Sequence, residues 1–201
     1  MLSNLYRLAS PRILRDFGRL FRNGKSDIDE RGDLIVGGAR IGGDYAVRGG
    51  SGLWVSGHNT GTYEGYNFLL RCVFGGSSPP SSLYIAPYTA NQTPTSSWTA
   101  VTFRTTAIEE STGYLEATRE AFVSSTPSGG EVTNYASPAT FTATGAVVWY
   151  GFGVLTTATK NDASVYPTQA LIAAAKFASA ESLGAAGAEL AIKYRYYLQP
   201  V

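Results

Sequence analysis

The chain has 201 residues, of which 44% are hydrophobic and only 15% charged, with 23 glycines, 13 tyrosines and one cysteine. That length and composition suit one solid core, or one domain with an accessory segment. The single Cys72 excludes an intrachain disulfide and a cysteine-based metal cluster. The net charge of +1 conceals an asymmetry: residues 1–25 carry six basic side chains against Asp16, a balance of +5, which leaves −4 on the rest of the chain. A basic arm on an acidic body is expected to meet a different partner from the body. No apolar run reaches the roughly 18–20 residues needed to span a bilayer. The first residues also lack the uninterrupted apolar stretch of a secretory signal.

Residues 1–31 read as a helical arm. In "SPRILRDFGRLFRNG", Ser10 suits an N-cap, Pro11 the first helical position and Gly24 the position past the end. At about 100° per residue, Ile13, Phe17, Leu20 and Phe21 share one side, and Arg12, Arg15, Arg19 and Arg22 the other. A helix of this length is marginal alone in water, so its apolar face needs a surface. That surface is its own domain or its oligomer mates, another scaffold protein, or a membrane or nucleic acid. Arginine without lysine suits bidentate pairing with carboxylates, which favours a protein; neither membrane nor nucleic acid is expected as a partner. In "SDIDERGD", Asp27, Asp29, Glu30 and Asp33 have the wrong spacing for a calcium loop and are expected to offset the arginines. A cation bound in a symmetric assembly stays open.

Residues 32–65 contain 11 glycines, most of them in doublets, as in "GGARIGGDYAVRGGSG". They match neither a phosphate-binding loop nor a dinucleotide fingerprint, which must follow a strand and open a helix. Collagen would need glycine at every third position. Short strands turned by glycine predict a narrow β-neck intertwined between copies, with Ile35, Ile41, Tyr45, Val47 and Trp54 as contacts between chains. The alternative is an irregular loop wrapped over the C-terminal domain.

Residues 66–201 read as strands throughout. "YNFLLRCVF" looks like a buried run, "SSLYIAPYT" follows a Pro-Pro turn, and "SWTAVTFRTT" alternates. "ATFTAT" and "AVVWYGFGVL" are expected to pair as a hairpin about Gly145, and "ALIAAAKF" to form a short strand. "EESTGYLEATREAF" is expected to be extended. "ELAIKYRYYL" alternates strictly: Leu190, Ile192, Tyr194, Tyr196 and Leu198 face one way, and Ala191, Lys193, Arg195 and Tyr197 the other. Strands separated by Gly, Pro, Ser and Thr loops predict an antiparallel β-sandwich or jelly roll. The expected fold class is therefore mainly β, with an N-terminal amphipathic helix and a glycine-punctuated neck.

Chemistry is sparsely represented. The single His58, in "WVSGHNTGTY", would have to serve any serine or cysteine hydrolase, and no GxSxG elbow accompanies it. It is expected to be a turn or neck residue. Zinc needs several His or Cys ligands, so no metal, cofactor or catalytic residue is expected. A glycan hydrolase would have to use Glu116 and Glu120 on one helix face, separated as two carboxylates flanking a sugar must be.

The succession "GGSSPPSSLYIAPYT", "GYLEATREAF", "YASPATFTATGAVVWYGFGVLTTAT", "PTQALIAAAKF" and "LGAAGAELAIKYRYYL" resembles small β-sandwich virion proteins of tailed bacteriophages over residues 68–198. The resemblance implies a non-enzymatic part of the particle: a capsid decoration protein, a head or collar fibre, or a short tail fibre. The implied partners are a homotrimer of the chain itself, capsid or neck and tail subunits, and, for a fibre, a host-surface glycan or protein. The implied location is the virion.

Overall fold

The computed structural model describes residues 27–31, 33–36 and 39–200. Among them are twelve strands and two short helices in chain order: β1 (Asp27–Ile28), β2 (Leu34–Val36), β3 (Ala39–Arg48), β4 (Val55–His58), β5 (Thr60–Gly61), α1 (Tyr63–Phe74), β6 (Tyr84–Tyr88), α2 (Ala100–Thr105), β7 (Glu120–Ala121), β8 (Glu131–Thr133), β9 (Ala139–Thr142), β10 (Val147–Leu155), β11 (Leu171–Leu183) and β12 (Glu189–Pro200). The fold is mainly β, with two antiparallel sheets. The helix expected within residues 1–31 lies outside the described residues.

The first sheet is built on one long pair. β3 and β12 run antiparallel from Ala39 opposite Pro200 to Arg48 opposite Ala191. β2 and β4 share the far edge of β3, and β9 and β8 share the far edge of β12. The second sheet has the order β5-β11-β10-β6-β7.

The core lies between the sheets, where the inward side chains of both interdigitate. Phe152 is its hub: its ring centroid lies 5.3 Å from Tyr45, 5.9 Å from Tyr194 and 6.0 Å from Phe177, on β3, β12 and β11. Trp149 and Phe152 are both fully buried in this core although they are three residues apart. The register shift between Trp149 and Gly151 resolves the conflict with a two-residue period, as a β-bulge does.

The outer face of the second sheet is buried as well. Tyr88, Trp98, Phe103, Leu155 and Leu171 form a separate apolar cluster there, to which α2 contributes Ala100 and Phe103. Gly153 makes this approach possible, since a Cβ on it would lie 2.6 Å from a Phe103 ring carbon. A fully buried ion pair fastens the loop that follows α2: Arg119 donates to Glu109 through Nε (2.7 Å) and Nη2 (2.6 Å), and through Nη1 to the Thr157 carbonyl (3.0 Å).

Four sequence expectations are corrected. "YNFLLRCVF" is helical: Thr62 caps it by accepting from the Gly65 amide, and Glu64 ties its first turn to the Ala100 and Leu171 amides at 2.7 Å each. A short apolar run does not distinguish helix from buried strand. "SWTAVTFRTT" contains α2, where Thr99 is the N-cap and the buried Ala100 and Phe103 follow helical spacing. "ATFTAT" and "AVVWYGFGVL" form no hairpin, because β9 pairs with β12 while β10 pairs with β6 and β11 in the other sheet. Residues 32–65 form no separate neck, since β3 is a central strand of the sandwich and Tyr45 (3% exposed) and Val47 (1%) sit in its core.

Replacing Tyr45 by alanine removes one wall of Phe152 and the hydroxyl that donates to the Lys176 carbonyl at 2.7 Å. Urea unfolding of Tyr45→Ala is expected to show a loss of about 3–5 kcal/mol. The loss should be the same at low and high protein concentration. A contact between chains would make it grow with dilution.

Candidate functional site

The alternation of β12 builds the site. With Leu190, Ile192 and Tyr194 buried inward, Lys193, Arg195 and Tyr197 fall on the outer face of the first sheet. The strand register then sets side chains in rows. His58 on β4 lies opposite Asp44 on β3, which lies opposite Arg195 on β12 and then Thr133 on β8. The next row is Ser56, Ala46 and Lys193.

The first row is a charge network. His58 Nδ1 lies 2.7 Å from Asp44 Oδ1 and Nε2 lies 2.9 Å from Asp33 Oδ1. Arg195 pairs with the other oxygen of Asp44 and, through Nη1, with Glu131 Oε2 at 3.2 Å. Asp33 is fully buried, and the Tyr197 hydroxyl donates to its Oδ2 at 2.9 Å. Arg31 Nη2 stands 3.7 Å from Asp44 Oδ1, and Arg40 Nε stands 3.3 Å from Asp29 Oδ2 and 3.6 Å from Asp33 Oδ2. The turn holding Asp33 is closed locally, with the Arg31 and Asp33 amides both donating to Asp29 Oδ1. Gly42 gives the carboxylate its place, because a Cβ there would lie 1.8 Å from Asp33 Oδ1.

A proton on each imidazole nitrogen lets both carboxylates accept from His58, against the Arg31 Nη2 that stands 3.2 Å from Nδ1. Burial opposes that charge on His58 and so does Arg31, but hydrogen bonds to Asp33 and Asp44 and the charge of Asp33 outweigh them and raise its pKa above 6.5. Burial likewise opposes charge on Asp44, and its bonds to Arg195 and His58 prevail and lower its pKa. With both nitrogens engaged, His58 has none left to activate the neighbouring Ser56. The network welds the turn at residues 29–34 to both central strands.

Beside the network the face opens into a shallow depression of about 570 Å³, lined among others by Ala46, Ser56, His58, Tyr135, Arg31 and Arg195. Trp54, 36% exposed, lies outside that lining and is linked to it through Lys193. Arg48 lies 4.9 Å and Lys193 4.4 Å from its ring centroid, and Lys193 also reaches within 5.9 Å of the exposed Tyr135. Arg48 and Lys193 have no carboxylate within 4 Å among the described residues.

The expected anchor residues Arg12, Ile13, Arg15, Phe17, Arg19, Leu20, Phe21 and Arg22 lie outside the described residues. Of the expected contacts between chains, Tyr45 and Val47 belong to the chain's own core, Ile35 and Ile41 are half-buried in the first sheet, and Trp54 is exposed beside the depression. Glu116 and Glu120 share no helix; both oxygens of Glu116 accept from the Thr142 amide at 3.1 Å. Among the described residues no group of three His, Cys, Asp or Glu side chains is placed to hold a metal ion, and no helix is long and apolar enough to cross a membrane. Sequence reasoning missed the Asp33–His58–Asp44–Arg195 network; its one available signal was the lone histidine in an acidic, strand-rich context. Comparisons with protein-family models, curated proteins and solved structures returned no match.

Because the pKa of His58 is raised on folding, its contribution to stability is complete below about pH 6.5. It is lost as pH rises through the folded-state value. Urea unfolding of the wild type is therefore expected to weaken from pH 6 to pH 9 relative to His58→Gln. Parallel pH profiles for the two proteins would refute the imidazolium assignment.

Proposed function

We propose that this chain is a non-enzymatic structural protein of a tailed-bacteriophage virion, a decoration protein or head-attached fibre. It is held by its basic N-terminal arm and displays the β-sandwich. The observation that carries this reading is the weld at Asp33. The arginine-rich arm leads directly into a turn whose buried carboxylate is bonded to His58 on β4 and Tyr197 on β12. Leaving the fully buried Asp33 carboxylate without its partners costs about 3–5 kcal/mol. A load that reaches this turn thus passes into the edge strand β4 and the central strand β12. The resemblance of residues 68–198 to virion sandwich proteins supplies the particle. In that setting the partners are capsid or neck subunits for the arm and further copies of the chain, as a homotrimer.

A second reading, a collar or tail fibre whose sandwich binds a host-surface glycan, is favoured by one observation. The exposed Trp54 and Tyr135 are gathered by Lys193 beside a depression rather than scattered.

Quantitative mass spectrometry of purified virions, with the major capsid protein as standard, tests the proposal. Hundreds of copies identify decoration, and a few to a few dozen identify a vertex, collar or tail appendage. A chain lacking residues 1–26 is expected to keep the urea midpoint of the full chain and to be lost from particles. Absence of the full chain from virions would overturn the proposal.

A further inference from the structure

The exposed end of the first sheet's outer face combines features that the weld does not use. Arg195 and His58 both pair with Asp44, whereas Arg48 and Lys193 crowd one indole ring with no carboxylate within 4 Å among the described residues. Two like charges about 5 Å from one centroid repel each other, and an anion placed between them relieves that repulsion. In the row that carries Lys193 the two neighbouring side chains are the small Ala46 and Ser56, and both line the depression. The recess is of the size of a small-molecule site, roughly 300–1,000 Å³.

From this we infer that the face between Trp54 and Tyr135 is a binding site for an acidic sugar, a pyranose bearing a carboxylate, presented on a polysaccharide. The inference rests on the attachment variant of the proposed function. Lys193 and Arg48 take the carboxylate. Ser56 and the tyrosine hydroxyl of Tyr135 are placed for ring hydroxyls, and the Trp54 edge closes one side. Asp44 and Glu131 decide between anions. Asp44 lines the recess and Glu131 pairs with Arg195 beside it, and the two carboxylates oppose a dianionic phosphate more strongly than a singly charged sugar carboxylate, while their oxygens accept from sugar hydroxyls. A nucleic-acid surface is basic throughout; this one alternates acceptors with donors, as a polyhydroxylated ligand requires. The net charge of residues 1–25, +5, has the same sign as Arg48 and Lys193 and so offers them no counter-charge.

Trp98 and Trp149 are buried, so a change in tryptophan emission at the surface reports on Trp54. The full chain is titrated with tetragalacturonate and with a hyaluronan oligosaccharide, against dextran and polyphosphate as neutral and phosphate controls. Saturable quenching by a carboxylated oligosaccharide is expected. Lys193→Ala should weaken it at least tenfold, and so should Ser56→Glu, which places a like charge in the recess; both positions are surface sites where the urea midpoint stays unchanged. Binding that ignores both substitutions overturns the inference, as does equal binding of polyphosphate through the same residues or no binding of either carboxylated sugar. Virion proteomics separates this outcome from failure of the parent reading. A virion protein that fails the titration is a structural cover, and a chain that binds these sugars while absent from virions is a lectin of another setting.

Discussion

The ladder between Ala39–Arg48 and Glu189–Pro200 is the constraint on which the rest of the molecule depends. It joins segments about 150 residues apart in the sequence, and each of its faces carries a different part of the protein. Inward, it sets Tyr45 opposite Tyr194 and Val47 opposite Ile192, which close on Phe152 and the second sheet. Outward, it sets Asp44 opposite Arg195 and Ala46 opposite Lys193. A slip of one residue would exchange the two faces, driving the carboxylate–guanidinium pair into an aromatic core. The register is held from both sides: burial of the aromatics on one face and ion pairing on the other favour the same alignment. Contacts of such sequence separation form late and slowly, so the ladder is expected to close after the more local β10–β11 pairing.

Buried charge is usually a poor source of net stability, because desolvation offsets much of the Coulomb gain. What the Asp33 network supplies is position. Asp33, His58 and Tyr197 come from a turn, an edge strand and a central strand; Asp33 engages His58 Nε2 and the Tyr197 hydroxyl, and Asp44 on β3 engages Nδ1. The Arg119–Glu109 pair does the same for the loop after α2, where Glu109 also bridges to Tyr88 at the edge of the second sheet. In both places a segment with too few apolar side chains to be held by packing is held through a buried, paired carboxylate.

Much of the fold was legible where one strand's own pattern decides the outcome. The alternation of residues 190–198 gave the inner and outer faces of β12 correctly, and "SSLYIAPYT" and "ALIAAAKF" fell on β6 and the first part of β11. The glycine doublets were misread because their cause is tertiary. Gly42 is needed where the Asp33 carboxylate lies across β3, and nothing within residues 37–52 records that approach. α1 and α2 were missed because their caps, Thr62 and Thr99, sit among many other threonines, and their apolar runs fit either period. Of the site, Trp54 was singled out for a contact between chains, and Lys193 and Arg195 were placed on the correct face. Their convergence with His58 and Tyr135 depends on pairing with β4 and β8, neither of which announces its partner in sequence.

The two sheets differ in what lies outside them, and this gives the sandwich a direction. The second sheet is packed on both faces, with Tyr88, Trp98 and Phe103 sealing its outer side under α2. On the first sheet, the turn at residues 29–34 seals only the end where Tyr197 meets Asp33, and the Trp54 end stays exposed. Solubility alone would be served there by the paired charges seen in the neighbouring row. A cation over an exposed indole gains only about 0.5–1 kcal/mol, and a second cation on the same ring gives part of that back through repulsion. Arg48 and Lys193 thus differ from the neighbouring row in having no carboxylate within 4 Å among the described residues, and on that difference the proposed acidic-sugar site rests.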